Sequence, residues 1–359
     1  MILISGYYGY GNWGDEAILA ALLADLSNLG VDQEQIRVLS GQPKRTEEWH
    51  GVKAIPRYRV SSLVHSMKHS QLLISGGGSL LQDSTSLRSI PYYLGMIEFA
   101  LANKVPVVIY AQGIGPVRRR MAQRWIQRVV SKAAAVSLRD QNSLALMKQW
   151  GVPTTGIQLS ADPVFRFVTN KQSKTAGLTI NLRPYPQWTD HISGWVQEIK
   201  SWMALGLGSI QFVALGPGDQ GMGERLRTHI PHLVVRTPQT YHEAMSLMGR
   251  YELTVSMRLH GIIFAAINGS YPIGLDYDPK IPALARQLGT PVFDPCAYQC
   301  LGSAIQLAKI NIVDASRKLQ QKVECLQQQA HINGQLIKEV LYRPVLEESY
   351  ANENIRRRD

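Results

Sequence analysis

Ile2-Leu3-Ile4-Ser5-Gly6-Tyr7-Tyr8-Gly9-Tyr10-Gly11-Asn12-Trp13-Gly14-Asp15-Glu16 is the stretch on which the fold class turns. A short aliphatic run ends in a glycine-rich turn, and a helical pattern follows. Ile18, Leu22, Leu26 and Leu29 form one apolar stripe, with Asp15 and Glu16 well placed near the helix N-terminus. The same unit recurs downstream. Leu72-Leu73-Ile74-Ser75 runs into Gly76-Gly77-Gly78, and Val107-Val108-Ile109-Tyr110 runs into Gly113-Ile114-Gly115-Pro116. Strands that are apolar at every position suit a parallel sheet covered by helices on both faces.

Residues 178–181, 212–215, 253–256 and 273–276 read as strands of a second unit built on the same plan. Between the halves, residues 167–176 are polar and read as a linker. The expected fold is α/β, with two Rossmann-like doubly wound domains facing a cleft. The expected segments are an N-terminal domain over 1–168, a C-terminal domain over 177–300, C-terminal helices over 301–345 and a tail over 346–359. Asn333-Gly334 is expected to break the last helix, and Arg356-Arg357-Arg358 to lie in the frayed tail.

Composition narrows the functional classes. A chain of 359 residues suggests about two domains. Its 45% hydrophobic and 18% charged content excludes a disordered or collagen-like chain. Three cysteines, Cys296, Cys300 and Cys325, are too few for a disulfide framework and read as free thiols in a reducing compartment. The sequence opens on an aliphatic strand with no basic leader, and no apolar run approaches the ~18 residues of a membrane span. The expectation is a soluble, cytoplasmic protein. Its formal charge of +11 points to an anionic partner: a phosphorylated substrate, a membrane surface or nucleic acid.

Four constellations carry chemistry. Gly9-Tyr10-Gly11-Asn12-Trp13-Gly14 matches the G-x-G-x-x-G spacing of a dinucleotide site. Its first glycine, however, comes four residues after Ser5, and the second strand ends in Ser40-Gly41-Gln42 without the acid that would hold a ribose. A tight turn, or a turn whose amides face an anion or a sugar, fits better. Gly76-Gly77-Gly78 and Gln112-Gly113-Ile114-Gly115-Pro116 repeat that geometry, so three mouths on one sheet edge are expected to line a site. Ser137-Leu138-Arg139-Asp140 aims a guanidinium at the same edge, with a surface Arg–Asp pair as the plainer alternative. Ser256-Met257-Arg258-Leu259-His260-Gly261 follows a second-half strand. On an extended segment Arg258 and His260 face the same way, an anion fork beside an imidazole, whereas a lone histidine would more often be a core or capping residue. Asp276-Tyr277-Asp278-Pro279-Lys280 ends the next strand, where Lys280 adds a point charge or the aspartates make a structural turn.

Other signals are weaker. His65 and His69 lack the glutamate of a zinc protease and read as exposed, and Cys296-x3-Cys300 lacks the second half of a zinc knuckle, so no metal site is expected. Arg118-Arg119-Arg120, Arg124 and Arg128 make a basic stripe beside Met121, Trp125 and Val129. A solvated helix face is its plain reading, and an anionic membrane its alternative. No nucleic-acid motif accompanies the charge, so no nucleic-acid partner is expected.

These motifs, taken in order, resemble the polysaccharide pyruvyl transferase family, specifically its CsaB-type bacterial members. The resemblance runs from Met1 to Lys280. It is carried by Gly9 through Glu16, by Gly76 through Asp83 with Thr85-Ser86 and Tyr92-Tyr93, and by Gln112 through Pro116. Ser137 through Asp140, Ala161-Asp162-Pro163, Arg258-Leu259-His260 and Tyr277 through Lys280 complete it. The resemblance implies a fold like the B-type glycosyltransferases, with phosphoenolpyruvate as donor and no further cofactor. The implied acceptor is a sugar, such as an N-acetylhexosamine of a lipid-linked cell-wall or S-layer-anchoring glycan precursor, met at the inner face of the membrane. On this reading Arg139, Arg258, Leu259, Lys280, Gly77 and Gly78 hold the donor, His260 transfers a proton, and Asn12, Asp15 and Asp83 serve the acceptor. The donor carries roughly −2.5 to −3 charge, which the cations and turn amides would neutralise. Two other readings stay open: a nucleotide-sugar glycosyltransferase using Gly216-Pro217-Gly218 at the diphosphate, and a non-enzymatic anion-binding module.

Overall fold

A computed structural model describes residues 1–83, 89–167, 174–185 and 191–356, with 343–356 as backbone alone. The chain divides into two compact units. The first comprises Met1–Gly9, Ile18–Pro163 and Gln329–Asp359, the second Tyr10–Ala17 and Val164–Gln328.

In the first unit the strands are β1 (Ile2–Tyr8), β2 (Ile36–Ser40), β3 (Ala54–Pro56), β4 (Leu72–Ser75), β5 (Gly78–Leu81), β6 (Val107–Ile114), β7 (Ala135–Leu138) and β8 (Ile157–Leu159). The sheet order is β3-β2-β1-β4-β6-β7-β8, with β5 paired to β6, and every pairing is parallel. The glycine-rich ends of β1, β4 and β6 are therefore neighbours on one edge, as their shared pattern suggests. Alternation along each strand explains why these runs are apolar throughout. Leu3, Leu39, Leu73 and Val107 enter a core with α3 (Val60–Lys68), α4 (Ser89–Ala102) and α5 (Arg120–Val130), while Ile2, Ile4, Val38 and Ile74 enter another with α1 (Trp13–Asn28). Helices α2 (Pro43–His50) and α6 (Gln141–Gln149) complete the crossovers.

The second unit holds β9 (Thr175–Asn181), β10 (Ser209–Val213), β11 (Val234–Arg236), β12 (Tyr251–Ser256), β13 (Tyr271–Leu275) and β14 (Val292–Phe293) in the order β11-β10-β9-β12-β13-β14, again all parallel. Its helices are α7 (Ile192–Ala204), α8 (Asp219–His229), α9 (Tyr241–Met248), α10 (Leu259–Ile267), α11 (Lys280–Leu288) and α12 (Leu301–Ile310). Trp195 and Trp202 meet edge-to-face inside this core with centroids 6.2 Å apart.

The long α13 (Ile312–Arg356) corrects two expectations. Asn333-Gly334 does not break it. Asn333 is buried and donates to the carbonyls of Ala161 and Ala330 at 3.1 and 3.0 Å, and the helix crosses Asp25 at Gly334. A Cβ at Gly334 would lie 2.8 Å from Asp25 Oδ1, so this glycine marks a close approach rather than a stop. The backbone also stays helical to Arg356, beyond the point where the sequence reads as a tail; Arg357 and Arg358 lie outside the described residues, as do most of the linker and Thr85-Ser86.

Candidate active site

Arg139 follows β7 and turns back over the glycine-rich edge of its sheet. It is 6% exposed, and its Nη1 donates to Asp162 Oδ2 at 2.6 Å while Nη2 donates to Ser79 Oγ at 2.8 Å. The surface pair with Asp140 is overturned. Asp140 lies 4.0 Å away and serves as N-cap of α6, accepting from the Ser143 amide at 2.7 Å; Asp162, only 4% exposed, is the real partner. A guanidinium this buried needs a carboxylate beside it, and Asp162 supplies one. Ser79 links Arg139 to the mouth of β5, where buried Gln112 donates to the carbonyls of Gly78 and Gly113 at 2.9 and 3.0 Å. Gly77 packs beneath, against Ile18 and the backbone of Tyr110. The first unit thus gathers Gly77, Gly78 and Arg139.

Asp83 sits one step outside that cluster. Its carboxylate accepts from the amides of Arg118 (3.1 and 2.9 Å) and Arg119 (3.2 Å), fixing the chain just before α5. Tyr92 and Tyr93, in α4, enclose the buried Arg57: its guanidinium lies 4.2 Å from the Tyr92 ring centroid and donates to Tyr93 Oη at 3.1 Å.

The second unit repeats the arginine device. Arg258, the N-cap residue of α10, gives Nε and Nη2 to the two oxygens of Asp219, both at 2.6 Å, and Nη2 also reaches the Pro217 carbonyl at 3.3 Å. Nη1 keeps no partner among the described residues. Asp219 is fully buried as the first residue of α8 and also accepts from the amide of Leu215 and the side chain of Asn181. Asn181 in turn accepts from the Arg258 amide at 3.3 Å. Burial pushes the Arg258 guanidinium down, but Asp219, by charge and hydrogen bond, then Tyr277 and Asp15, hold it above its ordinary range.

Helix α10 begins at Leu259, inside the segment read from the sequence as extended, so Leu259 and His260 are helical. The expectation that Arg258 and His260 face the same way on an extended segment is therefore wrong. Arg258 turns to Asp219, and His260, the second residue of the helix, packs on Gly14. A Cβ on Gly14 would fall inside the His260 ring. The last glycine of the first motif is thus explained by an imidazole, not by a dinucleotide. Around it, the Trp13 amide donates to the Leu215 carbonyl at 2.9 Å, and the Asn12 side-chain amide donates to Asp15. Asn12, Asp15, Arg258 and His260 are consequently brought together. Lys280 opens α11, its Nζ 3.5 Å from Asp278, whose side chain also accepts from the Lys280 amide. Nearby, Arg183 donates to Tyr277 Oη at 3.1 Å. Burial, then Asp294 and Asp278, push the Asp276 carboxyl up.

Sequence reasoning gave no role to three residues that hold this geometry: Asp162, which it quotes only within the resemblance, Asn181 and Asp219. The available signal was an aspartate directly after Gly216-Pro217-Gly218 and opening a helix, where a carboxylate is favoured. His65 and His69 are exposed, and no group of three or more metal-ligating side chains occurs among the described residues.

The sequence model of the polysaccharide pyruvyl transferase family matches residues 12–279, a span that contains Asn12, Asp15, Gly77, Gly78, Arg139, Arg258 and His260 and ends one residue before Lys280. The chain belongs to the polysaccharide pyruvyl transferase family. It is therefore a transferase enzyme of glycan biosynthesis. A relative, the amylovoran biosynthesis protein AmsJ of Erwinia amylovora, is 23% identical over 324 residues, covering 79% of this chain and 75% of that protein. The fold is that of B-type glycosyltransferases and related epimerases. The Anabaena protein HepE, solved with UDP-glucose, superposes with a TM-score of 0.63 at 12% identity, covering 95% of this chain and 99% of that one. The UDP-GlcNAc 2-epimerase of Neisseria meningitidis gives 0.62 at 11% identity over 96% and 100%. For this pyruvyl transferase, those likenesses establish architecture. No helix among the described residues is long and apolar enough to cross a membrane.

Proposed function

We propose that this pyruvyl transferase moves the pyruvyl group of phosphoenolpyruvate onto two hydroxyls of one sugar, releasing phosphate and leaving a cyclic ketal. The supporting observation is the Asn12–Asp15–Arg258–His260 grouping, in which Asp219 fixes a guanidinium that also feels Asp15, and the imidazole of the same motif rests on Gly14, next to Asp15 in the chain. Arg139, Arg258, Leu259, Lys280, Gly77 and Gly78 are the groups assigned to the donor's anionic oxygens. Protonation of the donor's methylene carbon makes its neighbour electrophilic, and an acceptor hydroxyl adds there. A second hydroxyl of the same sugar then displaces phosphate. His260 carries the proton, a role worth typically 10²–10⁴-fold. Asn12, Asp15 and Asp83 are assigned to the acceptor, an N-acetylhexosamine of a lipid-linked glycan precursor handled at the inner face of the membrane. No further cofactor takes part in this scheme.

The test is phosphate release from phosphoenolpyruvate with a panel of sugar acceptors. The wild-type chain releases phosphate only when acceptor is present, and His260→Ala lowers the rate by at least ~10²-fold with an unchanged melting temperature. Near-normal release by His260→Ala removes the imidazole from the mechanism.

A further inference from the structure

In the first unit, α4 and α5 border a groove of about 630 Å³. Ile90 and Pro91 of α4 and Met121, Ala122 and Trp125 of α5 give it an apolar lining, and Arg119, Arg124 and Arg128 stand on its rim. Around α5, at ~100° per residue, the order is informative. Ile126, Val129 and Val130 enter the core, Trp125 and Met121 come next, and Arg120, Arg124 and Arg128 follow. Met121 is 83% exposed, so packing within the unit does not account for it. An apolar arc wider than the core requires, bordered by arginines, is the pattern of a helix that lies in a headgroup layer.

Charge sharpens the assignment. Arg128 is engaged by Glu98, so the stripe read from the sequence loses one member. Arg118, Arg119, Arg120 and Arg124 are exposed and have no ion pair among the described residues. Asp83, the acid facing the groove, has both carboxylate oxygens on the Arg118 and Arg119 amides, which holds the arginine run in one conformation. Trp125 is partly buried against the core and forms the inner wall of the groove; a free phosphate would leave the exposed Met121 without a role, and a nucleic acid would have no use for an exposed methionine. We propose that this face docks on an anionic lipid bilayer, with Met121 entering the boundary between headgroups and chains, the apolar groove beside Trp125 facing it, and Arg119, Arg120 and Arg124 on lipid phosphates. The proposal rests on, and extends, the reading that the acceptor is lipid-linked.

Sedimentation of the full chain with vesicles tests it, using phosphatidylcholine alone and phosphatidylcholine mixed with phosphatidylglycerol. The expected result is binding to the mixed vesicles only, weakening with salt. Arg120→Glu with Arg124→Glu lowers that binding roughly tenfold or more. Met121→Asp, which leaves the arginines in place, lowers it as well. Both variants keep wild-type phosphate release with a soluble acceptor. Equal binding to neutral vesicles, wild-type binding by both variants, or loss only in the arginine variant with displacement by double-stranded DNA would each overturn the surface. If the wild-type chain binds vesicles but releases no phosphate with any acceptor, the reaction assignment fails and the docking surface stands.

Discussion

Arg258 commits two of its nitrogens to one carboxylate, and Arg139 one of its own to another, so neither is a loose surface cation. A buried charge pair contributes little net stability, but removing one member leaves the other uncompensated, at about 3–5 kcal/mol. Asp219→Asn keeps the shape and deletes the charge. It is expected to cost about 3 kcal/mol in urea denaturation and to raise the KM for phosphoenolpyruvate more than it lowers kcat. An unchanged denaturation midpoint would show that Arg258 does not depend on Asp219. Gly14 offers a second test. Alanine there drives its Cβ into the imidazole, and a displacement of about 1 Å at a reacting group costs on the order of 10²-fold. Gly14→Ala should therefore lower phosphate release by about that factor, yet add almost nothing in a His260→Ala background. Additive losses would mean that Gly14 acts by another route.

At the scale of the elements, the sequence carried most of the architecture. Uninterrupted apolar runs such as Leu72-Leu73-Ile74 require helices on both faces, and that requirement leads directly to parallel strands. What it could not show was where helices begin and which long-range contacts override local preference. Helix α10 starts at Leu259 because Ser256 and Asn181 hold the Arg258 amide, a contact spanning 77 residues that no local pattern reveals. Asn333-Gly334 looks like a stop in isolation, yet burial of Asn333 and the passage over Asp25 keep the helix intact. Asp162 and Asp219 were equally hidden, because a carboxylate's partner is set by the fold. Gly334→Ala makes the point measurable. Helix propensity alone favours alanine by about 1 kcal/mol. The contact with Asp25, whose carboxylate also takes a 2.6 Å hydrogen bond from Tyr110, predicts a lower melting temperature instead. A rise in melting temperature would reduce Gly334 to a position tolerated for want of contact.

For the whole molecule, the choice among the possible reactions is one of ligand chemistry. The solved structures that share this architecture include proteins holding UDP or UDP-sugars, and the architecture by itself serves many chemistries. A bound ligand stabilises by RT ln(1 + [L]/Kd), about 2.7 kcal/mol at a hundredfold excess over Kd. Phosphoenolpyruvate is expected to raise the melting temperature in a concentration-dependent way, and UDP-sugars to leave it unchanged. The reverse result would favour a nucleotide-sugar glycosyltransferase.

The membership of the two units has a practical consequence for anyone who would cut the protein in half. Tyr10–Ala17, early in the chain, cluster with the second unit, and Gln329 onward, late in the chain, with the first. A fragment starting at Val164 would lack the backbone partner of Leu215 and the glycine against which His260 rests, and one ending at Pro163 would lack Asn333 and its bonds. A cut at residue 163 therefore divides both units at once, because each draws a peptide from the far side of the cut.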